Sequence, residues 1–151
     1  MTIEIITVGA RPKSENAGLA HDFLKRLPKH VQVTWRYLKH AAGNPSVSKH
    51  HEAESILRTL GNSKKFVILL DEKGKQLSSP ELARLVFAEG HESIVFIIGG
   101  AYGITPEIRA KADVVWSLGM LVYPHQLVRV ILSEQLYRAH AIHTGHPYHH
   151  E

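Results

Sequence analysis

The sequence predicts one α/β domain, a parallel-rich sheet with helices on both faces. Three observations predict it. Short β-branched apolar runs alternate with segments of helical period along the chain. The middle runs are apolar throughout rather than alternating, as expected of strands covered on both sides. Glycine or proline punctuates nearly every segment, and the 151 residues hold no repeat, linker or low-complexity tract.

The elements follow in order. Ile3–Val8 is a β-branched run ended by Gly9 and reads as a buried strand. Ser14–Leu27 spaces Leu19, Phe23, Leu24 and Leu27 as a helix does, and Pro28 stops it. Val31–Leu38 alternates, which fits a half-exposed strand, and "HAAGNPS" reads as a loop. Ser48–Leu60 is a polar helix closed by Gly61. Lys65–Asp71 is a core strand followed by the turn "DEKGK". Ser79-Pro80-Glu81 combines a cap, a proline at the first helical position and an acid in the first turn; that helix runs to about Glu89. Ser93–Ile98 is a buried strand, Thr105-Pro106-Glu107 starts a short helix, "ADVVWSL" is a fifth strand, and Pro124 opens a last helix to about Thr144.

Composition bounds the chemistry. The absence of cysteine excludes disulfides and thiolate metal sites. No apolar run approaches the ~20 residues of a membrane span, and the opening "MTIEIITVGARPKSE" lacks a basic segment followed by a long apolar core. A cytoplasmic protein without membrane contact is expected. Net charge is +4, unevenly placed: residues 1–75 carry 13 Lys/Arg against 7 Asp/Glu, and residues 76–151 carry 5 against 7. A basic half beside a mildly acidic one hints at a polyanionic partner. Arg11, Lys13, Lys25, Arg26 and Lys29 are candidate phosphate contacts; for any one of them a solvated face is the plainer reading.

The stretch "FIIGGAYGITPE" packs Gly99, Gly100 and Gly103 between a strand and a helix. It is not a dinucleotide fingerprint, because G-G-x-x-G has the wrong spacing, nor a phosphate loop, because no Gly-Lys-Ser/Thr follows. A tight turn whose glycines take φ > 0 is one reading. The other is a ligand site at the carboxyl ends of the strands, shared with "ILLDEKG" and "WSLGMLVYPHQ". There Leu70, Leu118, Leu121 and Val122 would form an apolar slot, and bare glycine backbone would grip a flat purine.

On the last helix the apolar residues span about half the circumference, wider than one sheet requires, so a second subunit is expected. Arg138 and Gln135 fall inside that arc, where a charge wants an acceptor or a ligand. The tail "HAIHTGHPYHHE" invites a metal reading, but Gly145 and Pro147 would break the alignment of the imidazoles, so no metal is expected. Stacking on a base, or a frayed end, are the remaining readings.

These pieces together resemble the RlmH-type ribosomal RNA methyltransferases of the SPOUT superfamily. The resemblance runs through "TVG", "LPKH", "LLDEKGKQLSSPELA", "FIIGGAYG", "WSLGMLVYPHQLVRVILSEQLYRA" and "HPYHHE", across essentially the whole chain. It implies a deep trefoil knot in the C-terminal part, an exception to the un-knotted rule, and a homodimer. It further implies S-adenosylmethionine as methyl donor and methylation of a pseudouridine N3 in a 23S rRNA stem-loop on the assembled ribosome. The matching cofactor positions are Leu70, Gly100, Leu118, Gly119, Met120, Leu121, Val122 and Tyr123. Two departures stand out: relatives commonly carry serine where this chain has Gly119, and arginine where it has His150.

The expected catalytic residues are His149, Tyr148 and Arg138. His149, or a water it orients, would accept the N3 proton, while Arg138 or Tyr148 would hold charge building on the uracil oxygens. In a dimer the tail of one subunit would cover the other's cofactor pocket. The alternatives are a non-catalytic, S-adenosylmethionine-sensing factor that binds ribosomes, and a tRNA or ribose methyltransferase of the same superfamily.

Overall fold

The computed structural model describes residues 1–11, 15–62 and 64–150. Their order is β1 (Thr2–Val8), α1 (Glu15–Lys25), β2 (Gln32–Leu38), α2 (Pro45–Leu60), β3 (Phe66–Gln76), α3 (Ser79–Ala83), β4 (Ser93–Ile98), α4 (Pro106–Lys111), β5 (Val114–Ser117) and α5 (His125–Thr144). The strands form one sheet in the order β2-β1-β4-β3-β5, every neighbouring pair parallel. Lys13 and the expected helix start at Ser14 lie outside the described residues.

The central strands are buried on both faces because both alternating sets of side chains are apolar. Ile3 and Ile5 of β1, Ile68 and Leu70 of β3, and Ile94, Phe96 and Ile98 of β4 meet Leu82 and Val86 beside α3 and Leu132, Leu136 and Ala139 of α5. The opposite set, Ile6, Val8, Val67, Leu69, Val95 and Ile97, meets Ala53, Ile56 and Leu60 of α2 and Ile108 of α4. Helices therefore cover both faces, α5 with α1 and α3 on one side, α2 and α4 on the other. The broad apolar arc of α5 is covered largely within the chain, so its width does not call for a second subunit. Leu127, Leu19 and the loop residues Met120, Leu121 and Val122 stay exposed.

Four local expectations shift. Helix α2 begins three residues early, because Asn44 caps it (Oδ1 accepts from the Val47 N–H at 3.0 Å) and Pro45 fills its first turn. The α3 cap is Ser78, not Ser79: Ser78 and Glu81 bond reciprocally in a capping box. The helix then ends in a π-helical turn over Arg84–Ala88, where the Glu89 N–H reaches the Arg84 carbonyl at 3.2 Å. Strand β3 continues through the expected turn to Gln76 by shifting register, so that Trp116 of β5 faces both Leu70 and Lys75.

The connection after β5 places the functional residues. β5 is an edge strand, yet the first residue of α5, His125, bonds Thr7 of β1 through Nε2 at 2.9 Å. The segment 118–124 therefore recrosses the carboxyl end of the sheet from β5 to β1, about 14 Å at the usual strand spacing.

Candidate functional site

Three loops stand together at those carboxyl ends and enclose a cleft of about 650 Å³, a size that suits a small ligand. Leu70, Ile98 and Trp116 contribute from the strand ends, residues 99–104 from the loop after β4, and His125 and Val128 from α5. Of the cofactor positions expected from sequence, Leu70, Gly100, Leu118, Gly119, Leu121, Val122 and Tyr123 line it. Met120 does not: its side chain is 90% exposed. The Ser117 hydroxyl accepts from the Gly119 N–H at 3.1 Å and donates to the Gly119 carbonyl at 2.9 Å, which fixes the turn into this loop.

The glycines of the second loop do different jobs. Gly103 alone of the three has a left-handed φ, +81°, and makes the turn. Gly100 is needed for space. A Cβ there would collide with Oε2 of Glu52 and approach Val8 Cγ1 to 3.2 Å. Glu52 comes from the helix read as polar, yet it is only 3% exposed. Its Oε1 accepts from the His40 ring at 3.1 Å and the Ala41 N–H at 3.4 Å, while Oε2 finds no partner among the described residues. The sequence did carry a signal, because Ser48, Glu52, Ile56 and Leu60 recur every four residues on one helix face, and all four are buried.

Charged groups also line the cleft: Asp71, Glu72 and Lys73 of the "ILLDEKG" stretch, and Arg109 and Lys49, which the sequence reading did not name. Arg109 of α4 donates to Asp71 at 2.6 Å, and the second oxygen of Asp71 accepts from the Lys73 N–H at 2.8 Å. Lys49, Glu72 and Lys73 lie at the walls. Lys49 and Arg109, far from that stretch and from each other in sequence, offered no pattern to read.

His125 closes the site toward β1. Arg129 Nε donates to the Thr7 hydroxyl at 3.2 Å, leaving the hydroxyl proton for His125 Nε2. Burial, then the nearby Arg129 cation, push the His125 pKa down to about 4, so the ring is neutral at pH 7. In the unfolded chain it protonates near 6.5. Its contribution to stability is thus full above that value and falls as pH drops toward the folded one. Between pH ~7.5 and ~5 the loss is expected to be about 1 kcal/mol, after discounting for the partly exposed ring. Urea titrations of wild type and His125→Gln at both pH values check this, with the variant showing the smaller change.

The structure brings Arg138, Tyr148 and His149 together, but not at this cleft. They surround Glu134, which the sequence reading did not name. Glu134 Oε1 accepts from Arg138 Nε at 2.9 Å, Arg138 Nη2 at 2.6 Å and the Tyr148 hydroxyl at 3.0 Å. The acceptor that Arg138 required is therefore one helical turn away, and Gln135 bonds Glu134 and Ser79 in the same neighbourhood. The hydrogen bond to Glu134 raises the Arg138 pKa, and burial followed by Glu134 raises that of Tyr148. Both are fixed as donors. The cluster begins at Glu134, nine residues along α5 from His125 and about 14 Å by helical rise, and Arg138 lies one turn further on. His140 and His143 pack on the Phe87 ring at 5.4 and 5.9 Å, and His146 on Tyr137 at 6.5 Å. Among the described residues, no group of three or more His, Cys, Asp or Glu side chains is arranged to hold a metal ion.

The whole chain has known relatives. Residues 1–149 match the family described as "Predicted SPOUT methyltransferase". This chain belongs to the SPOUT methyltransferase family, in its RlmH-type branch. It is 36% identical to the ribosomal RNA large subunit methyltransferase H of Polynucleobacter asymbioticus over 100% of both chains. It is 38% identical to the protein of that name from Thioalkalivibrio sulfidiphilus, again over 100% of both. With the Geotalea daltonii protein it shares 47% identity over 68% of each chain. A probable methylase family protein from Haemophilus influenzae Rd KW20 shares its fold: TM-score 0.57 at 16% identity, covering 95% of this chain and 66% of that one.

The two positions read from sequence as departures from the family pattern, Gly119 and His150, fall in different places. Gly119 lies in the cleft wall with φ +129°, a conformation that side chains rarely adopt. His150 is exposed beside the Glu134 cluster. No helix among the described residues is long and apolar enough to cross a membrane.

Proposed function

We propose that the protein is an S-adenosylmethionine-dependent methyltransferase of large-subunit ribosomal RNA, acting on N3 of a 23S rRNA pseudouridine in the assembled ribosome, in the cytoplasm. The observation that carries this is the cleft itself: seven family donor-binding positions line one cavity. The residues fit the donor. Leu70, Leu121 and Val122 offer apolar surface for an adenosyl group, the glycines leave backbone bare, and Glu72 places a carboxylate at the wall for a sulfonium or ammonium. S-adenosylmethionine supplies an electrophilic methyl group.

The knot belongs to the same proposal. It is supported by the return of segment 118–124 from β5 to β1 beside the loops that follow β3 and β4. A homodimer is proposed because Arg138 stands about 20 Å along α5 from His125 of its own cleft. The exposed Leu19, Leu127 and Met120–Val122 give a second copy an apolar surface to cover. The tail of one subunit would then complete the site of the other.

The cluster suits donation better than proton abstraction. Arginine has only donors, so its Nη1, 3.3 Å from His149 Nδ1, occupies that nitrogen's lone pair. The ring proton then sits on Nε2, which is buried and has no partner among the described residues. Uncovered by a shift of the tail on binding RNA, that N–H would stabilise the oxygens flanking a uracil N3 as they gain charge. Water would take the N3 proton.

The decisive assay incubates labelled donor with whole ribosomes, naked rRNA or tRNA and identifies the labelled nucleoside. Methyl on a base N3 from ribosomes alone supports the proposal; donor binding without label supports a non-catalytic factor; label on tRNA or a ribose supports another superfamily activity. His149→Ala is expected to lower kcat about 100-fold, with donor affinity within about twofold. His149→Gln keeps an N–H donor and should recover part of that rate. Equal loss in both variants would return the histidine to the role of base.

A further inference from the structure

A second pocket, of about 110 Å³, opens where α1, β2 and the start of α5 meet. Trp35 and Tyr37 form one wall. They stand two residues apart on edge strand β2, so they share a face, and their rings stack at 5.8 Å with 12° between planes. The buried Arg129 guanidinium lies over Tyr37 at 5.3 Å, and Arg11 brings a second, exposed guanidinium. Asn16 and His21 of α1 add an amide and an imidazole, while no carboxylate of the described residues lines the pocket. An apolar occupant would leave these polar groups unmatched, and a cationic one would meet two arginines. A π-face flanked by guanidiniums and an amide fits a flat, hydrogen-bonding ring that carries a phosphate. The volume suits a single ring. The pocket and the donor cleft flank the first turn of α5, with His125 in one and Arg129 in the other.

We propose that the Trp35–Tyr37 pocket is a second RNA contact, capturing one unpaired nucleobase by stacking while Arg11 holds its phosphate. This rests on the ribosomal RNA reading and adds to it a base-binding subsite separate from the donor cleft. Unpaired bases are what a protein can stack on in folded RNA, because a base inside a helix hides both of its faces.

The test measures binding of a fluorescent eight-nucleotide oligouridine, and of an abasic ribose-phosphate oligomer of equal length, to the full-length protein. Wild type is expected to prefer the oligouridine by about 5- to 100-fold, the range for one stacked base. Trp35→Leu should lose that preference, and Trp35→Phe should keep most of it. Arg11→Ala should weaken both oligomers and reduce the salt slope by about one unit. Equal binding of the two oligomers by wild type overturns the proposal, and so does an undiminished preference in Trp35→Leu. The wild-type comparison stands even if Trp35→Leu folds poorly. Ribosome methylation separates the two ideas. Methylation with a KM indifferent to Trp35→Phe, Trp35→Leu and Arg11→Ala sinks the pocket and spares the RNA reading. A base preference in a protein that methylates no ribosome does the reverse.

Discussion

Gly100→Ala is expected to weaken S-adenosylmethionine binding about 100-fold, roughly 2.7 kcal/mol, and to destabilise the fold by about 1–3 kcal/mol through overpacking. The added methyl group has nowhere to go. It meets the Glu52 carboxylate on one side and Val8 on the other. Glu52 cannot swing away, since it is buried and its first oxygen is held by His40 and Ala41. The loop 99–104 must shift instead, and that loop is a wall of the donor cleft. Calorimetric titration with the donor measures the effect, and Glu52→Ala in the same chain, by clearing the space, should restore much of the affinity. Wild-type affinity in Gly100→Ala would mean that the loop plays no part in donor binding.

The second large effect belongs to Arg129. It is 4% exposed and forms no salt bridge with a carboxylate of the described residues. It donates instead to the Val8 carbonyl at 3.2 Å, the Ala10 carbonyl at 3.1 Å and the Thr7 hydroxyl at 3.2 Å, and lies over the Tyr37 ring. Burial lowers its pKa without bringing titration near neutrality, because guanidinium starts so high. One side chain thus ties the end of β1 to the first turns of α5. Arg129→Met fills similar space but strands three acceptors, which is expected to cost about 3 kcal/mol. For a domain of this size that is about 6–12 °C in Tm. Arg129→Lys should lose most of the same stability, since an ammonium cannot serve the acceptors as a planar fork does. Urea denaturation of both variants decides it; a loss below about 0.5 kcal/mol would mean that water satisfies those carbonyls.

Much of this was legible in one dimension. The all-apolar runs of β3 and β4 announced burial on both faces, and Gly61 and Pro124 marked helix ends that the structure keeps. The donor-cleft positions could be named from the family resemblance because they fall in three short contiguous stretches. Glu52 was missed because its charge was read before its place in the Ser48–Leu60 stripe. Glu134 was not named, although Arg138 wanted an acceptor or a ligand and Glu134 stands four residues before it on the same helix face. The tail residues were foreseen as a group, but not that Arg138 takes the His149 Nδ1 lone pair.

By itself, then, the sequence determined the alternation of strands and helices, the apolar layers and the glycine loop, all of which follow from periodicity and backbone freedom over a few adjacent residues. Only the tertiary structure decided that α5 returns to β1, that Gly100 faces a buried carboxylate, and that the tail residues gather on Glu134, further along α5 than the cleft. Those outcomes depend on which distant segments meet, and contacts between residues tens of positions apart leave no local pattern to read.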